Sequence, residues 1–539
     1  MHWTQEYLPL GSMGPSALAA AAPLLLLFVL LALGKVKGWV AALASTLAAG
    51  LVATLVWRMP LAAALSSGLL GSAFALFPIL WILFAALWIY HLCVGSGQFD
   101  LIRRMVAGLT GDRRLQALFI AFAFGAFLEG TAGFGVPVAI TSAMLVGLGF
   151  PPELAATLCL LANSSPVAFA AAGVPIATAA QVSGLDPIAI GRAVGLQLPL
   201  LSMSVPLWLC VLLCGWRRSA EILPAILVAG FSLAGSQFLI SSTLGPWTTG
   251  VLSGLAAMGS LALLLRFWKP RQIWDFGGAT GGQVGARPGE GMPFSAALRA
   301  WSPYLLTSAF VLFWSTPWAK ALFRPASLLV HWPALDGLAM RTSPVVHPDT
   351  PYAAVLDLSI LASPGTAIFL AGILSMLILP GLGLRGALAA LGRTLRDLRF
   401  TIPTVCFVLA TAYLMNYSGM SSTIGLALSG TGALFPLFAP LLGWIGVLLT
   451  GSDTSSNALF CSLQATTARQ LGLDPVLVVA SNTSGGVAGK MISPQSLSVA
   501  TAATGLTGRE GQLFRSTFLH SLAMALVVGL VTLAMVYLF

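Results

Sequence analysis

The stretch FLEGTAGFG at residues 127–135 interrupts a long apolar run with one glutamate and three glycines. A second stretch of the same character, TGSDTSSN at residues 450–457, follows another apolar run near the end of the chain. Such polar, glycine-rich backbone is tolerated at membrane depth only where protein or a watery cavity surrounds it. We therefore predict two re-entrant hairpins, residues 115–150 and 435–470, each of which enters the bilayer and returns on the same side.

The composition around these stretches is that of a protein embedded in lipid. Of the 539 residues, 58% are hydrophobic and 8% are charged, against roughly a quarter charged in soluble domains. Apolar runs recur along the whole chain, and each has close to the ~20 residues that a helix needs to cross a bilayer. The predicted fold class is an all-α polytopic membrane protein with about 12 transmembrane helices besides the two hairpins.

The formal charge of +10 does not indicate a nucleic-acid partner, because the basic residues lie in short loops between apolar runs. The 6 cysteines form no CxxC pair, and the 5 histidines are not grouped as metal ligands. We therefore expect no nucleic acid, metal or cofactor. The expected partners are the lipid bilayer and a small substrate.

The basic residues also predict the orientation, since cytoplasmic loops are rich in Lys and Arg. The clusters assigned to the cytoplasm are Lys35/Lys37, Arg103/Arg104/Arg113/Arg114, Arg217/Arg218, those within 266–299 and 385–399, and Arg509/Arg515. The basic residues left outside are Arg58, Arg192, Lys320, Arg324, Arg341 and Arg469. Both termini then face outward, and the alternation of sides closes only if the two hairpins are re-entrant.

The same order of elements occurs twice in the sequence. The chain divides into an N-terminal repeat at 1–215, a connector at 216–300 and a C-terminal repeat at 301–539. Each repeat has three spans, a hairpin, a broken span (154–181 and 475–504) and a closing span, and the connector has two spans and a cytoplasmic loop. The copies are predicted to have inverted topology, a common plan of secondary transporters. The alternative is that the Gly and Ser clusters only let helices pack closely.

Three charged residues fall deep within the predicted membrane elements: Glu129, Asp453 and Lys490. Each costs about 2.5–3.5 kcal/mol to insert unless it faces a cavity or a partner, which makes it a functional candidate. We expect either Glu129 or Asp453 to carry a coupled proton. The alternatives are a structural cap on the hairpin for Glu129, a helix N-cap for Asp453, and a structural ion pair for Lys490.

A small carboxylate substrate needs hydrogen-bond donors and positive potential, which the N-termini of broken helices supply. Polar clusters at the predicted breaks meet this need, with Lys490 as a point charge and Tyr417 as a further donor or a simple interfacial turn. The predicted substrate-binding residues are Asn163, Ser164, Ser165, Thr454, Ser455, Ser456, Asn457, Asn482, Thr483, Ser484, Lys490 and Tyr417. The glycines predicted to shape the hairpins and helix breaks are Gly130, Gly133, Gly451 and Gly485.

At these same residues the sequence resembles the lactate permease family, which includes the glycolate permeases. The resemblance is carried by GAFLEGTAGFGVPVAIT (125–141), NSSPVAF (163–169), LTGSDTSSNALF (449–460) and SNTSGGVAGKMISPQS (481–496), with the shorter SGQFD (96–100) and NYSG (416–419). The resemblance implies uptake of L-lactate, D-lactate or glycolate with a proton, across the bacterial inner membrane.

The helix breaks at Asn163 and Asn482 also resemble those of the wider superfamily of ion transporters that includes dicarboxylate and citrate carriers. That resemblance implies an elevator-like motion and a homodimer. It also leaves sodium coupling, or exchange of other small carboxylates, as an alternative to proton symport. The first copy reads Ala162-Asn163-Ser164 where the second reads Ser-Asn-Thr, so the family role transfers less directly to the first half.

Two other classes of protein use similar features. A channel could use the same polar hairpins, but it does not need titratable groups at their tips. A membrane-embedded enzyme needs a nucleophile with a base or a metal cluster, and the sequence contains neither HExxH nor GxSxG. The sequence therefore predicts a transporter and not an enzyme.

Overall fold

The structure is a computed structural model that describes residues 3–32, 36–133, 135–276, 294–346, 348–506 and 509–538. The described residues are mostly helical, because a chain in lipid must satisfy its backbone groups internally. The helices up to the connector are α1 (Met13–Ala32), α2 (Gly38–Leu55), α3 (Leu61–Phe74), α4 (Trp81–Gly95), α5 (Gln98–Ala107), α6 (Arg113–Ala117), α7 (Gly125–Thr131), α8 (Val136–Gly147), α9 (Pro152–Asn163), α10 (Ala170–Ser183), α11 (Pro187–Gln197) and α12 (Pro199–Ala220).

The connector and the second half continue the helical pattern. Their helices are α13 (Leu223–Thr243), α14 (Pro246–Phe267), α15 (Phe294–Ser315), α16 (Pro317–Phe323), α17 (Pro364–Ile378), α18 (Gly383–Leu398), α19 (Thr401–Ser418), α20 (Met420–Ser429), α21 (Phe435–Thr450), α22 (Asp453–Gln470), α23 (Pro475–Lys490), α24 (Pro494–Thr504) and α25 (Glu510–Leu538). Short π-helical segments, Ala75–Leu80 and Leu118–Phe124, join α3 to α4 and α6 to α7.

Within the described ranges, nine helices are long and apolar enough to cross a membrane, or up to eleven if two bent pairs each count as one span. The bent pairs are Pro152–Asn163 with Val167–Ser183, at 63°, and Gly383–Leu398 with Thr401–Ser418, at 46°. The protein is therefore an all-α, multi-pass membrane protein, as the sequence predicts. The expected number of about 12 spans is close to the upper count.

The two predicted helix breaks have different outcomes. The first bend follows Asn163, where the sequence places it. The second break, predicted at residues 481–485, is wrong: α23 runs unbroken through these residues, and the chain breaks at residues 491–493 instead. Asn482, Thr483 and Ser484 direct their side chains to other helices, so they do not compete for the backbone hydrogen bonds of α23.

Two helical hairpins lie within 115–150 and 435–470. The second consists of α21 and α22, which run antiparallel from a turn at residues 451–452. Ser456 Oγ donates to the carbonyl of Gly443 at 3.1 Å, and Gln464 Nε2 donates to that of Ala439 at 2.9 Å. In the first hairpin, α7 and α8 flank residues 132–135, of which Phe134 lies outside the described residues.

The glycines predicted to shape these elements fall into two groups. Gly133 and Gly451 adopt left-handed backbone, with φ of +61° and +73°, where a helix can end without a Cβ penalty. Gly130 and Gly485 lie inside helices instead. The prediction of a helix break at Gly485 is therefore wrong, whereas Gly130 lies in the first hairpin, where the sequence places it.

Close packing by glycine joins α21 to α23 and α7 to α14. A Cβ at Gly485 would collide with the backbone of Pro440, and one at Gly443 would collide with the backbone of Asn482. Likewise, a Cβ at Gly130 would collide with the backbone of Gly250 on α14. Small residues allow this backbone approach, which drives helix association in lipid. The connector helix α14 therefore packs directly on the first hairpin.

A loop of short strands covers one end of the helices. The strands are β1 (Trp3–Thr4), β2 (Leu328–His331), β3 (Ala339–Arg341), β4 (Thr350–Pro351) and β5 (Val355–Leu358). They form a three-stranded sheet in the order β1-β3-β4, with β1 parallel to β3, and an antiparallel pair of β2 and β5. Gln5 Nε2 donates to the carbonyls of Asn416 and Tyr417 at the end of α19. The N-terminal strand, this loop and the end of α19 therefore share one face of the protein.

The acid Asp336 of this loop is bound by groups of the same loop. Ala354 N donates to Asp336 Oδ1 at 2.7 Å, and His331 Nδ1 lies 2.7 Å from Asp336 Oδ2. These two contacts hold the pKa of the Asp336 carboxyl below its ordinary value, the backbone N–H having the larger effect.

A buried arginine anchors the start of the first hairpin. Arg114, with no exposed surface, donates to Asp112 at 2.7 Å and to Glu221 at 2.6 Å. These contacts tie α6 to the junction of α12 and α13. Of the basic residues used for the orientation, Lys35 and Arg287 lie outside the described residues.

The packing of α21 on α23 predicts the effect of one methyl group. Gly443→Ala is expected to destabilise the protein by about 1–3 kcal/mol, because the added Cβ overlaps rigid backbone that cannot move aside. Thermal unfolding in detergent, followed by tryptophan fluorescence, measures this loss. Gly235→Ala on α13, where nothing lies within 4 Å of the added atom, is the matched control. An equal midpoint for the two variants would contradict the packing role.

Candidate functional site

The three deep charges predicted from the sequence lie around one small cavity. Glu129 comes from the first hairpin, Asp453 from the tip of the second, and Lys490 from the end of α23. All three are buried, and each is at most 5% exposed. The cavity has a volume of about 20 Å³, which is room for about one water molecule. Residues from opposite ends of the sequence therefore form a single polar centre.

Asp453 is the least satisfied of the three charged residues. Neither of its carboxylate oxygens has a hydrogen-bond partner among the described residues. The cap of α22 is Ser452, whose Oγ accepts from the backbone N–H of Ser455 at 3.3 Å. The alternative role of Asp453 as the helix N-cap is therefore wrong, because the preceding serine takes it. The Asp453 carboxylate lies over Gly486 of α23, where a Cβ would collide with Oδ1.

Lys490 holds the tip of the second hairpin. Its ammonium donates to the carbonyl of Gly451 at 2.8 Å, at the C-terminal end of α21, where a positive charge is favoured by the helix dipole. No ion pair joins Lys490 to a carboxylate of the described residues. Lys490 therefore lies at the same cavity as both acids but forms a salt bridge with neither.

Glu129 connects the cavity to the first helix break. Asn163 Nδ2 donates to Glu129 Oε2 at 2.8 Å, while Asn163 Oδ1 has no partner within the described ranges. The sequence predicts a role for both residues but does not show that they touch. This contact links the end of α9 to α7.

Strained backbone forms one wall of the cavity. Ala171, Ala172 and Gly173 have φ values of 42°, 56° and 77°, and left-handed backbone costs an alanine about 1–2 kcal/mol. Such strain persists only where the surroundings enforce it, and it concentrates at functional sites. Regular helix follows, with Pro175 in its first turn. The N-terminal ends of this helix and of α22 therefore both border the cavity.

Several predicted substrate ligands form a network between helices instead of lining the cavity. Asn457 Oδ1 accepts from Asn482 Nδ2 at 2.8 Å and from Thr483 Oγ1 at 3.1 Å. Asn457 Nδ2 donates to the carbonyl of Pro175 at 3.0 Å, and Gln464 Nε2 donates to Asn482 Oδ1 at 2.8 Å. The network joins α22 to α23 and to α10.

The other predicted substrate ligands lie in different surroundings. Ser164 Oγ and Ser456 Oγ donate to the carbonyls of Leu161 and Gly443, and Ser484 Oγ donates to Gln197 Oε1. Thr454 lines the small cavity, Ser165 Oγ is buried without a partner among the described residues, and Ser455 is buried. Tyr417 lies apart from this site, with its hydroxyl donating to the carbonyl of Ala353 at 2.7 Å.

The sequence prediction missed the buried glutamines of this region. Gln464 and Gln197 bond to Asn482 and Ser484, and Gln237 Nε2 donates to the carbonyl of Ser165 at 3.3 Å. One signal could have identified Gln464: it lies seven residues after Asn457, on the same face of a helix.

A multi-pass protein whose hairpins and bent helices bring buried charges around an internal cavity belongs to the class of membrane transport proteins. Comparison with known sequences identifies the family of transport proteins. The chain belongs to the L-lactate permease family, whose profile matches residues 16–539. It is a permease and not an enzyme.

Relatives align over nearly the full length. The chain is 48% identical to the glycolate permease GlcA of Escherichia coli strain K12 (100% of this chain, 98% of the relative). It is 47% identical to the L-lactate permease of Salmonella typhimurium (99% and 98%) and 45% identical to that of Bacillus subtilis (99% and 98%). Among solved structures it is similar to Neisseria gonorrhoeae MtrF, with a TM-score of 0.45 and 13% identity over 86% of this chain and 82% of that one.

The network predicts a role for Asn482 in stability. Asn482→Ala removes partners from Asn457 and Gln464, and buried polar groups left unpaired cost about 1–3 kcal/mol. The thermal unfolding midpoint in detergent should fall accordingly. Ser481→Ala on the same helix is the control, since the Ser481 hydroxyl bonds only within its own helix, to the carbonyl of Val478. If both variants unfold at the same temperature, the network does not stabilise the fold.

Proposed function

We propose that this permease imports lactate, glycolate and related 2-hydroxy monocarboxylates by proton symport across a bacterial plasma membrane. The names of the relatives support the substrate class, and their bacterial sources support the membrane. One structural observation supports the coupling: Asp453, Glu129 and Lys490 surround a single small cavity, and the Asp453 carboxylate has no hydrogen-bond partner in the part of the chain that the structure describes.

The proton binds Asp453. An ionised carboxylate buried without donors bears a large desolvation cost, and a proton removes that charge. Glu129 is the second candidate, but it accepts a hydrogen bond from Asn163, which supports its ionised form. Two acids and one ammonium give the site a surplus negative charge when all are ionised. Binding of one proton cancels this surplus.

The substrate carboxylate binds where Lys490 and two helix N-termini converge. Thr454 lines the cavity with a hydroxyl, and Ser165 and Asn163 have polar atoms free at the first bend. The remaining predicted ligands (Ser164, Ser455, Ser456, Asn457, Asn482, Thr483 and Ser484) position these helices through their buried contacts. A cavity of about 20 Å³ must widen to admit a three-carbon acid, so the hairpins move during transport.

Coupling follows from competition for Lys490. When Asp453 is ionised, its charge balances the nearby ammonium and disfavours an anion. When Asp453 is protonated, the potential of Lys490 is available to the substrate carboxylate. Proton and substrate therefore favour each other's binding, and this coupling is reciprocal. Inverted repeats built on the two hairpins would let the loaded site open to either side.

Asp453→Asn tests the proton site. The variant should no longer concentrate labelled lactate in proteoliposomes under a pH gradient, because the amide cannot take up the proton. Lactate exchange at equal pH should persist, since it needs no net proton movement. Glu129→Gln is the parallel variant, and Asp357→Asn, an exposed loop acid, is the control. If both site variants still concentrate lactate, the proton assignment is wrong, and loss of uptake on replacing sodium by choline would indicate sodium coupling instead.

Lys490→Gln tests the anion site. A hydrogen bond from a charged donor is worth about 1.5–3 kcal/mol, so the KM for lactate exchange should rise at least about tenfold. Lys490→Arg keeps the charge and should recover part of the affinity. Lys37→Gln removes an exposed positive charge and serves as the control. An unchanged KM in the Lys490→Gln variant would place the substrate elsewhere.

A further inference from the structure

A second cavity, much larger than the one at Asp453, opens at the face that carries the N-terminal strand. Its volume is about 510 Å³, within the range of small-molecule sites. The ends of α10, α19 and α22 form its walls together with the strand loop. We call it the antechamber and define it by Gln181, Arg341, Tyr352, Tyr413, Tyr417 and Arg469.

The antechamber holds positive charge that nothing described in the structure neutralises. Arg341 and Arg469 both line it, and none of the described Asp and Glu residues does. Neither guanidinium forms an ion pair with a carboxylate of the described residues, and Arg341 Nε is buried without a partner. Asp336, an acid of the same loop, is already engaged by Ala354 and His331. A cavity that holds two arginines without an ion pair to any described carboxylate has a positive potential, which favours binding of an anion.

Aromatic side chains orient one of these donors, Arg341. The Arg341 guanidinium lies 4.5 Å from the centre of the Tyr352 ring, and Tyr352 stacks on Tyr417 at 4.4 Å. Stacking fixes the plane of a guanidinium and leaves its N–H edge free, the geometry that suits a carboxylate. Gln181 Nε2 donates to the Tyr413 hydroxyl at 3.2 Å, which leaves the hydroxyl hydrogen free to donate.

Two helices lead from the antechamber to the small cavity. Ser462 of α22 lines the antechamber, and Asp453 is the first residue of the same helix, roughly 14 Å away along its axis. Helix α10 also reaches both cavities, since Gln181 lines the antechamber and Val174 lines the small cavity. Helices α10 and α22 therefore border both cavities, and the hydrogen bond from Asn457 Nδ2 to the carbonyl of Pro175 joins them between the two.

We propose that Arg341 and Arg469 capture the substrate's carboxylate in the antechamber before it moves between α10 and α22 to the site at Asp453 and Lys490. This proposal rests on the proposed function and adds a second carboxylate-binding site to it. Positive potential in a cleft raises the local concentration of an anion and its rate of association. The arginine pair therefore sets the affinity for the incoming anion without taking part in the proton transfer.

Transport kinetics test the antechamber. In Arg341→Gln and in Arg469→Gln, the KM for lactate exchange in proteoliposomes should rise at least fivefold, with the maximal rate within twofold of the unmodified protein. Arg192→Gln, which removes an exposed charge outside both cavities, should change neither quantity. Arg341→Lys should recover less than half of the lost affinity, because lysine keeps the charge but not the planar, stacked fork. An unchanged KM in both glutamine variants overturns the proposal.

A binding experiment separates this proposal from the proposed function. In detergent-solubilised Lys490→Gln protein, weak lactate binding measured by calorimetry should remain, and adding Arg341→Gln with Arg469→Gln should abolish it. Residual binding that survives the arginine substitutions would overturn the antechamber. If the unmodified protein transports neither lactate nor glycolate, the proposed function fails, while this experiment still decides whether the antechamber binds a carboxylate.

A labelling experiment leaves both arginines in place, in case the glutamine variants do not fold. Thr466→Cys puts a thiol on the antechamber wall. In the Lys490→Gln background, lactate should slow its modification by a sulfonate-bearing thiosulfonate at least threefold, whereas chloride at equal ionic strength should not. Equal rates with lactate and with chloride would overturn the proposal.

Discussion

The cost of an unpaired polar group in an apolar surrounding governs this structure. Charged and amide side chains inside a helical membrane protein must find partners or face a cavity. The buried amides of Asn457 and Asn482 meet that demand through hydrogen bonds to each other, to Gln464 and to the carbonyl of Pro175. The carboxylate of Asp453 does not. This difference separates the groups that hold the helices together from the group that we expect to change its charge during transport.

Close approach of the helices makes the network possible. Gly443 and Gly485 let α21 and α23 meet backbone to backbone, which brings Asn482 within reach of Asn457 and Gln464. Gly130 allows α14 to press on the first hairpin in the same way. Helix α14, which the sequence predicts to be part of a connector, therefore packs against the hairpin beside Glu129. Packing by small residues and satisfaction of polar groups act together here, since each depends on the other.

We propose that the two cavities have different roles on one transport path. The antechamber offers arginines that form no ion pair among the described residues, and its volume suits a small anion with its water, whereas the cavity at Asp453 is much smaller and holds the titratable groups. α10 and α22 border both cavities. We propose that an anion attracted at one end of these helices moves to the site at the other end, where its binding is coupled to that of a proton.

The sequence by itself determined the class of protein and its charged residues. Apolar runs must be helices in lipid, and Glu129, Asp453 and Lys490 are too costly there to be incidental. Motifs around them also carried the resemblance that the family comparison confirmed. Only the tertiary structure decided how these residues are used. It placed Asn482 in an unbroken helix, gave the cap of α22 to Ser452 and brought Arg341 and Arg469 into one cavity. The physical reason is that partners of a polar side chain lie on other helices, far apart in sequence, and local patterns cannot specify them.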